Sequence, residues 1–206
     1  MLSERLLDVA IDHFGRLGFD GASTRAIARD SGTAMSSITY HFGGKEQLYL
    51  ECARYIASRI ADAQAKPLES AIEARDGGRD EATGAVLRLI ESLARMMLRP
   101  ESESWARFIM REQQAPTAAF DAIYEGAMKR LSETLVDLVA RIRVDLQPSE
   151  VRATAVLLVG QAMILRAGRA SVCRVLGTAT IDEAASELLL ARLRANVSCI
   201  LMEKPR

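Results

Sequence analysis

Apolar residues recur at helical spacing over most of this chain, and from about Glu81 to the end there is no strand-like alternation. From Ser3 to Leu17 the positions Leu6, Ala10, Phe14 and Leu17 share one face of a helix, while Arg5, Asp8, Asp12 and Arg16 point outward. His13 reads as a surface residue. Gly18 ends this helix, and Phe19-Asp20-Gly21 forms a turn. The stretch Ser23 to Leu48 then reads as three helices in quick succession. Ser23 or Thr24 caps the first, its hydroxyl accepting from a free backbone N–H. Ile27 and Ala28 supply the buried side of that helix. Gly32 closes it, because glycine tolerates the positive φ of a tight turn. The second helix spans roughly Ala34 to Tyr40 and has one aliphatic anchor, Ile38. Gly43 and Gly44 break the chain, and Lys45-Glu46 open a helix that runs to about Lys66. Its apolar side is Leu48, Tyr49, Cys52, Tyr55, Ile56 and Ile60, and Pro67 ends or kinks it. Phe14, Ala22, Ile27, Ile38 and Phe42 suffice for a small shared core.

Residues 67–80, with Arg75-Asp76-Gly77-Gly78-Arg79-Asp80, are the most loop-like part of the chain. Helical patterns follow over Thr83 to Leu98, Ser104 to Gln114 and Thr117 to Val144. Pro100 and Pro116 separate them. Leu146 to Glu150 is a turn with a proline-assisted restart. The last two helices cover Val151 to Leu176 and Ile181 to Met202, divided at Gly177-Thr178. Both are apolar on more than one side, so both are buried on more than one side.

Two short helices joined by a glycine turn are a helix-turn-helix, whose second helix can enter a DNA major groove. Here that helix offers Met35, Ser36, Ser37, Thr39 and Tyr40. Hydroxyls bond to base edges or phosphates, and small side chains let the backbone approach the groove. Lys45 lies at a helix N-terminus, where its charge and free N–H groups both favour a phosphate. A plain helical hairpin with a solvated polar face shows the same pattern.

The register of this stretch resembles the DNA-binding motif of TetR-family transcriptional regulators. The matching positions are Ile27-Ala28, Ser31-Gly32, Ser36-Ser37-Ile38, Tyr40-His41-Phe42 and Lys45-Glu46-Gln47-Leu48, and the form ITYHFGGKEQLY resembles the CecR-like subgroup. Arg111 to Pro116 resembles the C-terminal domain of that subgroup. Thr33 and Ala34 replace the family's usual Val and Ser, and Thr39 stands where a phosphate-contacting Tyr is common. The resemblance implies an all-α protein of about nine helices. A three-helix DNA-binding domain at 1–63 would precede a larger ligand-binding and dimerisation domain at 64–206. It also implies DNA contacts from Tyr40, His41 and Lys45, with Thr24 and Arg25 on the preceding helix.

For the second domain the pattern admits two readings. The apolar surfaces of the last two helices, with Val156, Leu157, Val159, Met163, Leu189, Leu193 and Val197, suit either a monomer interior or a homodimeric four-helix bundle. The family implies the dimer. The middle helices gather large, adaptable side chains: Met96, Met97, Trp105, Phe108, Ile109, Phe120, Tyr124 and Met128. On residues alone these are a helical core. The resemblance implies a pocket for a small apolar or amphipathic effector, to which Met163 and Arg166 are added. Arg107, Arg111, Glu112 and Arg166 either orient a polar ligand group or pair with one another.

The chain has 206 residues, 49% hydrophobic and 26% charged, the composition of a folded protein. Its formal net charge is zero, which counts against indiscriminate nucleic-acid binding. Positive charge is instead focused over 23–45, where Arg25, Arg29 and Lys45 outweigh Asp30. Cys52, Cys173 and Cys199 are odd in number and not at metal spacing, and read as buried or inert intracellular thiols. No metal or other cofactor is expected. The only histidines, His13 and His41, lie in the small domain, and no phosphate-binding glycine loop occurs, so an all-α enzyme is disfavoured. No leader is read at the charged N-terminus, and the apolar run near Val156–Leu165 falls short of the ~20 residues that span a bilayer. The expectation is a cytoplasmic repressor, without membrane contact, that leaves a palindromic double-stranded operator when its ligand binds. A ligand-independent regulator or an architectural DNA-binding protein is the alternative.

Overall fold

The computed structural model describes residues 2–203, and among them every regular element is helical. The helices are α1 (Leu2–Gly21), α2 (Thr24–Ser31), α3 (Met35–Phe42), α4 (Lys45–Glu73), α5 (Arg79–Leu98), α6 (Ser102–Gln114) and α7 (Ala118–Ile123). A π-helical segment, Tyr124–Met128, leads into α8 (Lys129–Ile142), followed by α9 (Pro148–Ala167), α10 (Arg169–Leu176) and α11 (Glu183–Met202). The chain forms two compact units. One comprises the chain up to Asp62 with Glu101–Met128; the other comprises Ala63–Pro100 with the chain from Lys129 onward.

The first unit is built on α1. Leu6, Leu7, Ala10, Ile11 and Phe14 are buried together with Ile27, Ile38, Leu48, Ile56 and Phe108. The Tyr49 ring meets Phe14 edge-on at 4.8 Å and Phe108 at 4.5 Å, which ties α4 to both α1 and α6. Leu17, expected on the buried face of α1, is half exposed. Gly18 departs from helical geometry (φ 76°, ψ 175°) just after it, so the chain turns before the face is completed. His13, expected at the surface, is buried because it shares a face with Leu6 and Ala10.

The second unit packs α5 against α8, α9 and α11. Leu89, Ile90 and Leu93 meet a core with Leu135, Leu138, Leu158, Ala162 and Leu201. Four elements differ from the sequence expectation. α4 does not end at Pro67 but continues to Glu73, carried by the buried Leu68 and Ala71. The 67–80 stretch is therefore mostly helix. The helix read from Thr117 to Val144 is interrupted by the π-helical segment. A Cβ on its Gly126 would lie 2.9 Å from the Ala57 Cβ, so the close approach to α4 requires glycine there. Gly168 separates α9 from α10 within the span read as a single helix. The restart at Pro148 is as expected: proline occupies the first turn, and Glu150 Oε2 accepts from the Gln147 N–H at 2.8 Å.

Among the described residues no single helix is long and apolar enough to cross a membrane; α9 and α10 together meet such a test only as a pair bent by 81°. Cys52 is buried, and burial pushes its thiol well up from the usual range. Cys173 is partly exposed and Cys199 exposed, so of the three thiols expected to be buried or inert only Cys52 is buried.

Candidate nucleic-acid interface

The turn between α2 and α3 is set by glycine. Gly32 adopts φ 73°, ψ 28°, and its N–H reaches the Arg29 carbonyl at 3.1 Å, while Thr33 N–H reaches Ala28 at 2.9 Å. These bonds satisfy the last carbonyls of α2, the C-terminal arrangement that favours glycine. Ser23 holds the N-cap position of α2, but its hydroxyl makes no capping bond. Gly43 ends α3 in the same left-handed conformation, φ 74°.

Ile38 is the one residue of α3 that is buried. A helix anchored by a single side chain turns most of its circumference outward. Met35, Ser36, Thr39, Tyr40 and His41 are exposed, and Ser37 is half-buried. Tyr40 is 86% exposed, and its ring stands edge-on to His41 with centroids 5.0 Å apart. On α2, Arg25 is exposed and Thr24 half-buried. The structure thus brings the sequence-expected DNA contacts onto α3 and its two flanks.

Lys45 is partly committed. Its ammonium donates to the Asp20 carbonyl at 3.2 Å and lies 4.8 Å from the Phe19 ring centre. Arg29 donates to Asp30 at 2.8 Å, so its charge is locally compensated and the positive focus is weaker than the residue count suggests. The arginine hydrogen bond holds the Asp30 carboxyl below the usual range, with His13 adding to it. The pairing of His13 Nε2 with Asp30 at 2.9 Å ties α1 to α2. Sequence reasoning missed this tie, although the place of His13 on the apolar side of α1 was the available signal.

The ten residues expected to line an effector pocket are divided between the two units. Trp105, Phe108, Ile109, Phe120, Tyr124 and Met128 belong to the first; Met96, Met97, Met163 and Arg166 belong to the second. Phe108 and Ile109 are core residues, as are Met96 and Met97. Arg166 is buried and donates Nε to the Met97 carbonyl at 2.8 Å and Nη2 to the Arg99 carbonyl. It serves the C-terminal end of α5 rather than an open pocket. The other three charged candidates do not pair with one another. Arg107 bonds Glu103 and Asp12. Arg111 donates to the carbonyls of Gly15 and Arg16 at 2.7 and 2.8 Å. Glu112, 3% exposed, accepts from Tyr49 Oη at 2.6 Å, Thr117 Oγ1 at 2.8 Å, Thr117 N at 3.1 Å and Phe120 N at 3.0 Å. Burial, with this carboxylate beside it, pushes the Tyr49 phenol well up.

Of the residues expected at a subunit interface, Val156 and Leu157 are 69% and 68% exposed. Val159, Met163 and Leu189 are half-buried. Leu193 and Val197 lie in the chain's own core, because they continue the face of α11 that carries Leu190 and Leu201. Among the described residues no group of three or more His, Cys, Asp or Glu could hold a metal ion.

Residues 6–52 match the family described as bacterial regulatory proteins, tetR family, and residues 83–203 match the C-terminal domain of the HTH-type transcriptional dual regulator CecR. The chain is 28% identical over 202 residues to the HTH-type transcriptional dual regulator CecR of Shigella flexneri, covering 96% of this chain and 90% of that protein. It is 39% identical over 66 residues to the HTH-type transcriptional regulatory protein RaaS of Mycobacterium tuberculosis, about a third of each chain (32% and 31%). Among solved structures, a TetR-like transcriptional regulator from Rhodococcus sp. RHA1 superposes with TM-score 0.67 at 20% identity, over 98% of this chain and 97% of that one. The fatty acid degradation regulator FadR from Bacillus halodurans superposes with TM-score 0.65 at 16% identity, over 98% of both. These likenesses show the same fold.

Proposed function

This chain belongs to the TetR family of DNA-binding transcriptional regulators, with a CecR-type C-terminal domain, and on that premise we propose a homodimeric repressor released from a palindromic operator by a small apolar or amphipathic ligand. The observation that carries the DNA part is the single-anchor burial of α3. Ile38 fixes the helix from behind, and Met35, Ser36, Ser37 and Thr39 are left for base edges. Tyr40, His41, Lys45, Thr24 and Arg25 supply backbone contacts, which set register without reading sequence.

One short helix reads few bases, so two copies related by a two-fold axis read two half-sites about 34–36 Å apart or a multiple of that. The exposed apolar side chains Val156, Leu157 and Ile164 on α9, with Leu188 on α11, support this dimer. In this reading the domain at 64–206 carries dimerisation and effector control. The ligand favours a state in which α4 has swung and the two heads no longer match the operator. It shifts the balance only by its difference in affinity between the two states, typically about 1–3 kcal/mol.

The test has two parts. Sedimentation of the protein with a duplex carrying its selected sequence should give two chains per duplex, and one chain per duplex removes the dimer reading. A reporter placed behind that sequence should fall when the protein is expressed, whereas a rise makes it an activator.

A further inference from the structure

We propose that a cleft in the first unit, beside the reading head, is a binding site for an organic cation with an apolar or aromatic body. Its volume, about 650 Å³, suits a drug-sized molecule. Three stretches wall it: Gly18–Asp20 at the end of α1, the first turns of α4, and the connection from α6 to α7. Phe19, Leu50 and Ala118 give it an apolar lining.

The sign of the ligand follows from the charges. Asp20 and Glu46 line the cleft, are exposed and, among the described residues, enter no ion pair. Glu112 adds a third carboxylate whose oxygens already accept bonds from Tyr49, Thr117 and Phe120. The one cation of the lining, Arg111, is held by the Gly15 and Arg16 carbonyls. The corner already attracts a cation from within the chain, since the Lys45 ammonium lies 4.8 Å from the Phe19 ring and on the Asp20 carbonyl. A ligand cation arriving at Phe19 and Asp20 competes with Lys45 for both. Because Lys45 is a proposed phosphate contact, occupancy of the cleft lowers operator affinity. That consequence rests on the function proposed above; the binding itself does not.

Calorimetric titration of the full chain without DNA tests the site. The probes are tetraphenylphosphonium and tetraphenylborate, matched in shape and opposite in charge. The cation should bind once per chain and at least tenfold more tightly than the anion, with affinity falling as salt is raised. Asp20→Asn with Glu46→Gln should weaken it tenfold or more while the melting temperature is unchanged, and Ala118→Trp should block it. Equal binding of the two ions, or an affinity that neither variant alters, overturns the site. On operator DNA, saturating tetraphenylphosphonium should weaken the wild-type complex and leave the Ala118→Trp complex unchanged. Binding with no change in the wild-type complex would keep the site and remove its effector role.

Discussion

Tyr40 and Ile38 divide the work of α3 between them, one 86% exposed and the other buried. Removing the exposed ring subtracts a proposed DNA contact without touching the core. Tyr40→Ala should therefore weaken operator binding about tenfold, roughly the 1.4 kcal/mol equivalent, with dimerisation intact by sedimentation. A dimer that fell apart on this change would contradict the division of labour between head and body. Glu112 has the opposite character. Glu112→Ala would leave the buried Tyr49 Oη and the part-buried Thr117 amide without their acceptor, while the Phe120 N–H keeps the Thr117 carbonyl at 2.9 Å. The expected loss is about 3 kcal/mol in chemical denaturation. Glu91 gives a pH signature. Burial works to raise its carboxyl, but hydrogen bonds and charge from Arg194 and Arg95 outweigh it and leave the group below its usual 4.5. A carboxyl lower in the folded state than in the unfolded one adds stability above the unfolded value, which is lost as pH falls through the folded one. Stability should thus drop on acidification below about pH 4.5, and Glu91→Gln should make that drop shallower.

At the scale of elements, glycine and proline positions decide most of what was legible in the sequence. Gly32, Gly43 and Gly177 each end a helix in the left-handed conformation, as the turn pattern implied. Gly32→Ala meets no neighbouring atom, so its cost is backbone strain alone, about 1 kcal/mol. Thermal denaturation should register that cost. Pro67 was misleading because local propensity yields to burial. Leu68, Ala71 and Ala74 are buried beyond it, and α4 continues across the lost hydrogen bond. Pro67→Ala should stabilise the protein by about 1–2 kcal/mol if that bond is restored. The break at Gly126 was invisible for a different reason. The close approach to Ala57 that requires it joins residues distant in sequence, and periodicity carries no information about such partners. The same limit applies to Arg166 and Glu112. Their residue types suggested chemistry, whereas their partners, Met97 and Tyr49, show structural service.

For the whole molecule, the apolar surface left on α9 and α11 links assembly to recognition in the proposed dimer. Val156→Arg with Leu157→Glu places charge on side chains already exposed in the single chain. The double variant should remain folded by circular dichroism and sediment as a monomer. Operator affinity should then fall more than a hundredfold, since each chain grips only one half-site. The measurement that tests the central claim most directly is selection of DNA from a random duplex pool by the purified full chain. The account predicts an enriched palindrome whose half-sites lie about one helical turn, or a multiple of it, apart, recovered more weakly but with the same sequence when Tyr40→Ala replaces the wild type. A pool that emerges unenriched, with all sequences held equally, would contradict it.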